Sequence, residues 1–275
     1  MNELIEYGIM SIKGKVRQKD EDSAMCMINV HGINGCVENT VSVAAVADGM
    51  GGGEKGEIAS KIAVNTLIKN LTSSILEKEL SKSVIIDLLT TSVREANQAI
   101  MEYAKENNLS SIGTTLTAAL MESDQVYVVN IGDSRTYLIS KDGRIKKKTK
   151  DHSYVQQLVD NGLLKEIDVK KHPQRNIVTK ILNGGGDAEP DIYQWQIFRN
   201  DYVLLCCDGL WEPLTDEIIG KTISSGGSPQ ETVKTMVEAA DEIDGSDNIT
   251  AIILRKSDGM DEGQFLNVQT MKRSS

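Results

Sequence analysis

Val41-Ser42-Val43-Ala44-Ala45-Val46-Ala47-Asp48-Gly49 runs through small and β-branched residues and stops abruptly at an acidic turn. Such a run, bounded by Asp-Gly, reads as a buried strand. Working outward, Ile58, Ile62, Ala63, Thr66 and Leu67 lie at helical spacing. Leu89, Val93, Ala96, Ile100 and Tyr103 line one face of a second helix. Residues 114–121, 125–131 and 135–140 return to strand, and Lys141-Asp142-Gly143-Arg144 supplies a hairpin turn. Residues 7–12 and 23–30 read as strands before the central run, and 192–198, 202–206 and 249–254 as strands after it. Helices are expected at 153–161, ended by Gly162, and at 215–224 and 229–243, with an irregular polar stretch from about 163 to 187.

Many antiparallel-looking strands with helices inserted in pairs predict an α+β fold of two packed sheets covered by helices, not a βαβ alternation. The 275 residues are 40% hydrophobic and include 23 glycines, which excludes a disordered or fibrous chain. One domain is expected over 1–255, and the polar, aperiodic stretch 256–275 reads as a flexible tail. No window approaches the 18 or so uncharged apolar residues of a membrane span. The acidic start Met1-Asn2-Glu3 is not that of a secretory signal, and four cysteines do not make a disulfide framework, so a cytoplasmic setting is expected. Thirty basic against 40 acidic residues, a net charge of −10, argue against nucleic-acid and membrane partners. The one basic cluster, Arg144-Ile145-Lys146-Lys147-Lys148-Thr149-Lys150, reads as a guarded strand edge or turn.

Five segments place a carboxylate beside a turn residue at a strand terminus. They are Asp20-Glu21-Asp22, Asp48-Gly49, Gly132-Asp133-Ser134-Arg135, Asp208-Gly209 and Asp247-Asn248. Any one of them is an ordinary turn or cap. Five in one chain point to something else if the strands lie side by side, because their ends then meet at one mouth. Carboxylates brought together repel and raise one another's pKa unless a cation neutralises them. Oxygen donors suit Mg²⁺ or Mn²⁺; with three histidines and no Cys-Cys or His-Glu ligand spacing, zinc is not expected. Glycine after Asp48 lets the backbone come close enough to offer its carbonyl. The run Gly51-Gly52-Gly53 lacks the Lys-Ser/Thr of a P-loop. Arg17 is either a salt-bridge partner for these carboxylates or a fork for a phosphate.

Taken in order, Arg17…Glu21-Asp22, Val46-Ala47-Asp48-Gly49-Met50-Gly51-Gly52, Gly113-Thr114-Thr115, Gly132-Asp133-Ser134-Arg135, Cys207-Asp208-Gly209-Leu210-Trp211 and Asp247-Asn248-Ile249-Thr250 resemble the metal-dependent serine/threonine protein phosphatases, the type 2C family, in their compact bacterial form. The resemblance runs from about Tyr7 to Leu254. It implies a four-layer α-β-β-α sandwich with two Mn²⁺ or Mg²⁺ ions at one end. Asp48 would bridge both ions, Asp208 and Asp247 complete one, and Glu21 with the Gly49 carbonyl hold the other. Asp22 would act as a ligand or hold metal-bound water. Asp133 with Asp208 matches a third, weaker metal site, and Arg17 would bind the substrate phosphate. The implied reaction is hydrolysis of phosphoserine or phosphothreonine on proteins by direct attack of a metal-bridging hydroxide. Asp151-His152-Ser153, Gly162, His172-Pro173 and Arg175-Asn176 resemble the frame of the family's flap, about 151–187.

Met50 stands where many eukaryotic members have a histidine proposed as general acid, which leaves His152 as a candidate for that role. Asp20 and Cys207 stand where Asn and Ser are common. Cys206 and Cys207 read as strand residues, and the Cys-x5-Arg pattern of cysteine phosphatases is missing. The expected partners are phosphorylated proteins and a cognate Ser/Thr kinase, met by a monomer. A non-catalytic phosphoprotein sensor of the same fold is the alternative; it predicts loss of core carboxylates, yet Asp48, Asp208 and Asp247 are all present. A two-metal nuclease is disfavoured by the charge and by the lack of an aromatic, basic groove.

Overall fold

The computed structural model describes residues 3–33, 36–51, 55–77, 81–109, 112–185 and 188–258. The central run ends strand β3 (Cys36–Ala47), and its two faces meet two different partners. Val43, Ala45 and Ala47 are buried against helices, while Ala44 and Val46 are buried among side chains of a second sheet. A strand covered on both faces favours small apolar side chains; Ser42, the one polar residue between Val41 and Ala47, is buried with its hydroxyl unpartnered.

The sheet containing β3 has the order β10-β7-β6-β3-β2, built from β2 (Ser23–Ile33), β6 (Leu116–Glu122), β7 (Gln125–Ile131) and β10 (Asp191–Gln196). The facing sheet has the order β1-β12-β11-β8-β9. Its strands are β1 (Glu3–Ile12), β8 (Arg135–Ile139), β9 (Ile145–Lys148), β11 (Tyr202–Cys206) and β12 (Ile249–Asp258). All neighbouring strands are antiparallel. Between the sheets lie Val128, Leu138, Val203, Leu205, Ile252 and Leu254, among others. The alternate residues Leu204, Cys206, Ala251 and Ile253 face the helices α5 (Asp216–Ser224) and α6 (Pro229–Ile243). Helices α1 (Gly56–Glu77) and α2 (Lys82–Glu106) cover the β3 sheet through Leu67, Leu71, Leu89 and Val93. Three apolar layers thus hold four layers of structure, the sandwich expected. No helix among the described residues is long and apolar enough to cross a membrane.

Three features differ from expectation. The run 114–121 is broken at Thr115, and its first residues form β5 (Ile112–Thr114), paired with β4 (Gly49–Gly51) as a small ribbon of its own. The last strand continues to Asp258, so the expected tail from residue 256 starts too early; the rest of that stretch lies outside the described residues. Lys256 is buried because its ammonium donates to the Ser123 carbonyl (3.0 Å) and pairs with Asp124. A lysine so partnered can occupy an inward strand position. Finally, Asp208–Trp211, read as an acidic turn, winds into a single helical turn, α4; the short helix expected at 153–161 is α3 (Tyr154–Asp160). The basic cluster forms the edge strand β9, where Lys146 pairs with Asp201 (2.7 Å) and Lys148 with Asp216 (3.1 Å).

Candidate active site

Strand register brings the acidic turns together. Ser23 pairs with Ala47, which sets Glu21 and Asp22 beside Asp48. In the other sheet Cys206 pairs with both Ala251 and Arg135, and Ile12 pairs with Ile249. Asp208, Asp247, Asp133 and the loop carrying Arg17 therefore leave that sheet at the same end. The acidic turns that carry the expected ligands thus lie at one end of the two sheets.

Two glycines make the approach possible. A Cβ on Gly49 would lie 2.3 Å from the Gly56 carbonyl oxygen and 2.4 Å from that of Glu21, so only glycine lets the start of α1 and the Glu21 backbone close on this turn. A Cβ on Gly209 would lie 2.0 Å from the Asn248 carbonyl oxygen, and its absence lets the Asp208 and Asp247 turns touch.

Hydroxyl and amide side chains then fix the turns. The Asp48 N–H donates to Thr115 Oγ1 (2.9 Å), and its carbonyl accepts from the Thr115 N–H (2.9 Å) and the Thr114 hydroxyl (2.8 Å). Thr115 Oγ1 also shares a hydrogen bond with Ser134 Oγ (2.6 Å), joining the Asp48 turn of one sheet to the Asp133 turn of the other. Asn248 accepts from the Glu21 N–H (2.8 Å) and donates to the carbonyls of Lys13 (3.0 Å) and Lys19 (2.8 Å), which shapes the loop around Arg17. Sequence reading quoted these residues in motifs but gave them no task. The available signal was a small polar residue directly beside an acidic turn.

The electrostatics are those of crowded carboxylates. Burial, followed by the charges of Asp208, Asp22 and Asp133, pushes the Asp48 carboxyl well above the usual range. Burial, then Asp208 and Asp151, does the same to Asp133. Burial raises Asp22 to about 8, and burial with the neighbouring Asp247 charge raises Asp208 to about 6. Glu21 is raised by burial and by Glu57, a further acidic neighbour that sequence reading passed over. Arg17 donates to Asp247 Oδ2 (2.8 Å) and feels the charges of Asp48 and Glu21, while its side chain stays half exposed.

Both carboxylate oxygens of Asp22, Oδ1 of Asp208 and Oε2 of Glu57 are buried without a hydrogen-bond partner. Orphaned oxygens of this kind are costly, and a hard divalent cation is the group that satisfies several at once. Among the described residues no group of three or more Asp, Glu, His or Cys side chains is spaced as a metal cage. The donor set is all oxygen and fits Mn²⁺ or Mg²⁺.

His152 lies against the Gly132–Asp133 turn. Its Nδ1 accepts from the Gly132 N–H (3.1 Å), and its Nε2 faces Asp191 Oδ1 at 3.3 Å. With both ring nitrogens engaged, it braces that turn. Burial holds its pKa below the ordinary value despite Asp191. Cys206 ends strand β11 as expected, whereas Cys207 lies just past it as the cap of α4; both are fully buried, and burial raises both thiols.

Comparison with known proteins agrees with this geometry. Residues 32–239 match the family model described as protein phosphatase 2C. The serine/threonine phosphatase stp of Listeria monocytogenes is 31% identical over 248 residues, 89% of this chain and 93% of that protein. The phosphatase PstP of Mycobacterium tuberculosis is 33% identical over 251 residues, 91% of this chain and 45% of that longer protein. Among solved structures, the PstP catalytic domain in complex with two manganese ions superposes with a TM-score of 0.76 at 30% identity, covering 94% of this chain and all of that one. Stp1 of Staphylococcus aureus gives 0.81 at 28% identity, covering 92% and 95% of the two chains. With the match spanning most of its length and the acidic turns meeting where the motifs require, the chain belongs to the protein phosphatase 2C family.

Proposed function

We propose that this chain is a metal-dependent phosphatase acting on phosphoserine and phosphothreonine of proteins. The observation that carries the reading is the set of buried, unpartnered carboxylate oxygens on Asp22 and Asp208 beside Asp48, with Arg17 at the rim. Asp48, Asp208 and Asp247 would hold one Mn²⁺ or Mg²⁺, and Asp48, Glu21 and the Gly49 carbonyl a second. Asp22 would support them, and Asp133 with Asp208 would take a third, weaker ion. Bound there, the cations would offset the carboxylate charge and make hydroxide available near neutral pH for attack on phosphorus. The chain's own part is positional. The clamps on both sides of the Asp48 backbone fix that carboxylate in place. Arg17, tied loosely to Asp247, can turn its remaining N–H groups to equatorial phosphoryl oxygens and stabilise their charge. The two buried cysteines take no part, and no covalent intermediate is required.

The phosphoproteins would be those of a bacterial Ser/Thr kinase, and we place the chain in the cytoplasm as a monomer. The sensor alternative is disfavoured because every core carboxylate is retained. The test is hydrolysis of p-nitrophenyl phosphate and of a phosphothreonine peptide with added Mn²⁺. EDTA should abolish both activities, and Asp48→Ala or Asp208→Ala should lower kcat by more than the roughly 10–100-fold typical of supporting residues. Turnover that persists in chelator, or in both variants, would refute the assignment.

A further inference from the structure

Arg135 is not among the acidic turns, yet it lies at the junction of three segments that surround them. Its Nε and Nη2 form a two-pronged bond to Asp151 Oδ1 (2.8 Å) and Oδ2 (2.7 Å). Its Nη1 donates to the Tyr137 hydroxyl (3.1 Å), and its guanidinium carbon sits 3.4 Å from the ring centroid of Trp211. The Trp211 Nε1 in turn donates to the Asp133 carbonyl (3.0 Å). One buried cation thus joins the turn after β7, the first residue of the 151–187 insertion and the helical turn that follows Asp208. The insertion touches that turn again where Lys170 Nζ donates to the Glu212 carbonyl (2.8 Å).

A cavity of about 390 Å³ opens between these segments, with Asp133, Asp151, Val155, Val169, Arg175 and Trp211 in its walls. Its volume lies within the range of sites that hold small molecules or single side chains. It adjoins Asp133, and its walls mix charged groups such as Lys170 and Glu212 with the apolar Val155, Val169 and Trp211. A second, smaller cavity of about 220 Å³ adjoins it, sharing Asp151, Val155, Val169 and Trp211 and adding Arg135 to its walls. The guanidinium thus lines the smaller space and bears on the larger one through Asp151 and Trp211.

We propose that Arg135 is a positioning residue: forked onto Asp151 and stacked on Trp211, it fixes the 151–187 insertion against the carboxylate mouth and so sets the walls of the cavity that takes the substrate chain beside the phosphoresidue. This rests on the phosphatase reading for the identity of the substrate, but the anchoring itself does not. Arginine is needed because a planar fork meets a carboxylate at two points while presenting its face to an aromatic ring; lysine keeps the charge and loses both. A small aryl phosphate has no chain to place in the cavity and does not depend on its walls.

The experiment compares wild type, Arg135→Lys and Trp211→Phe. Trypsin sites at Lys165, Lys170, Lys171, Arg175 and Lys180 report anchoring of the insertion directly. Both variants should be cut there at least about fivefold faster, with the Lys variant the more affected. KM for a phosphothreonine peptide should rise about tenfold or more, while kcat/KM for p-nitrophenyl phosphate stays within about threefold. Unchanged trypsin cleavage, or an equal loss with both substrates, would overturn the proposal. If Arg135→Lys does not fold, Trp211→Phe decides the matter alone by the same two measurements. Failure of the wild type to hydrolyse the peptide would instead overturn the phosphatase reading, and the trypsin result would still decide the role of Arg135.

Discussion

At the mouth of the molecule a single hydroxyl governs where Asp48 stands. Thr115 is fully buried, accepts the Asp48 N–H and pairs with Ser134, so one oxygen links the acidic turns of two sheets. Thr115→Val keeps the shape and removes that oxygen, leaving a buried N–H without a partner at a cost of about 1–3 kcal/mol. Urea unfolding should register that loss. Isothermal titration should show Mn²⁺ bound about 10–100-fold more weakly. Thr115→Ser retains the hydroxyl and should recover most of the affinity. If the Val and Ser variants bind Mn²⁺ alike, the hydroxyl is packing and nothing more. The acidic turns were legible in the sequence because each carboxylate sits beside a turn residue. The hydroxyl bridge was not, since Thr115 and Ser134 become neighbours only through the register of strands in opposite sheets. The partners of His152 were hidden for the same reason: its type suggested proton transfer, and only the fold brings Gly132 and Asp191 to its two nitrogens.

Among the elements, those whose burial follows one simple pattern were readable and those built by exception were not. β7, β11 and α6 have the bounds their apolar patterns indicate, because both faces of the strands and one face of the helix meet core. β4 and β5 are three residues each, too short for any periodicity; Leu182 bridges the Thr114 backbone and the Thr115 hydroxyl holds the Asp48 N–H beside them. The end of β12 was hidden by Lys256, a polar residue made tolerable by Asp124. α6 starts with a capping box: Ser228 Oγ accepts from the Glu231 N–H (3.2 Å), Glu231 accepts from the Ser228 N–H (3.0 Å), and Pro229 opens the first turn. Ser228→Ala breaks one half of that box far from the mouth. It should cost about 0.5–2 kcal/mol in chemical denaturation and leave turnover unchanged. A larger effect, or any loss of activity, would mean that the α6 layer reaches the site in a way its geometry does not suggest.

For the molecule as a whole, the sandwich is closed by apolar layers and strained at one end by charge. Three apolar layers pull the sheets and helices together, while Asp22, Asp48, Asp133 and Asp208 resist ionisation where the strands converge. The consequence for stability has a definite sign. A carboxyl whose folded pKa is raised favours folding below its unfolded value of about 3.9, and that contribution is lost as pH climbs through the folded value. With Asp208 at about 6 and Asp22 at about 8, the chelated protein should lose thermal stability from about pH 4 up to about pH 8, most steeply below about pH 6 where both groups contribute. A divalent cation offsets the charge the carboxylates then carry, so ligand binding should add most where the metal-free protein is weakest. Scanning fluorimetry in EDTA and in saturating Mn²⁺ across this interval should show two curves that diverge toward alkaline pH. Asp208→Asn, which cannot ionise, should flatten the EDTA curve and shrink the gap. A gap that stays constant with pH, or narrows as pH rises, would mean that the crowded carboxylates do not govern the stability of this end of the sandwich.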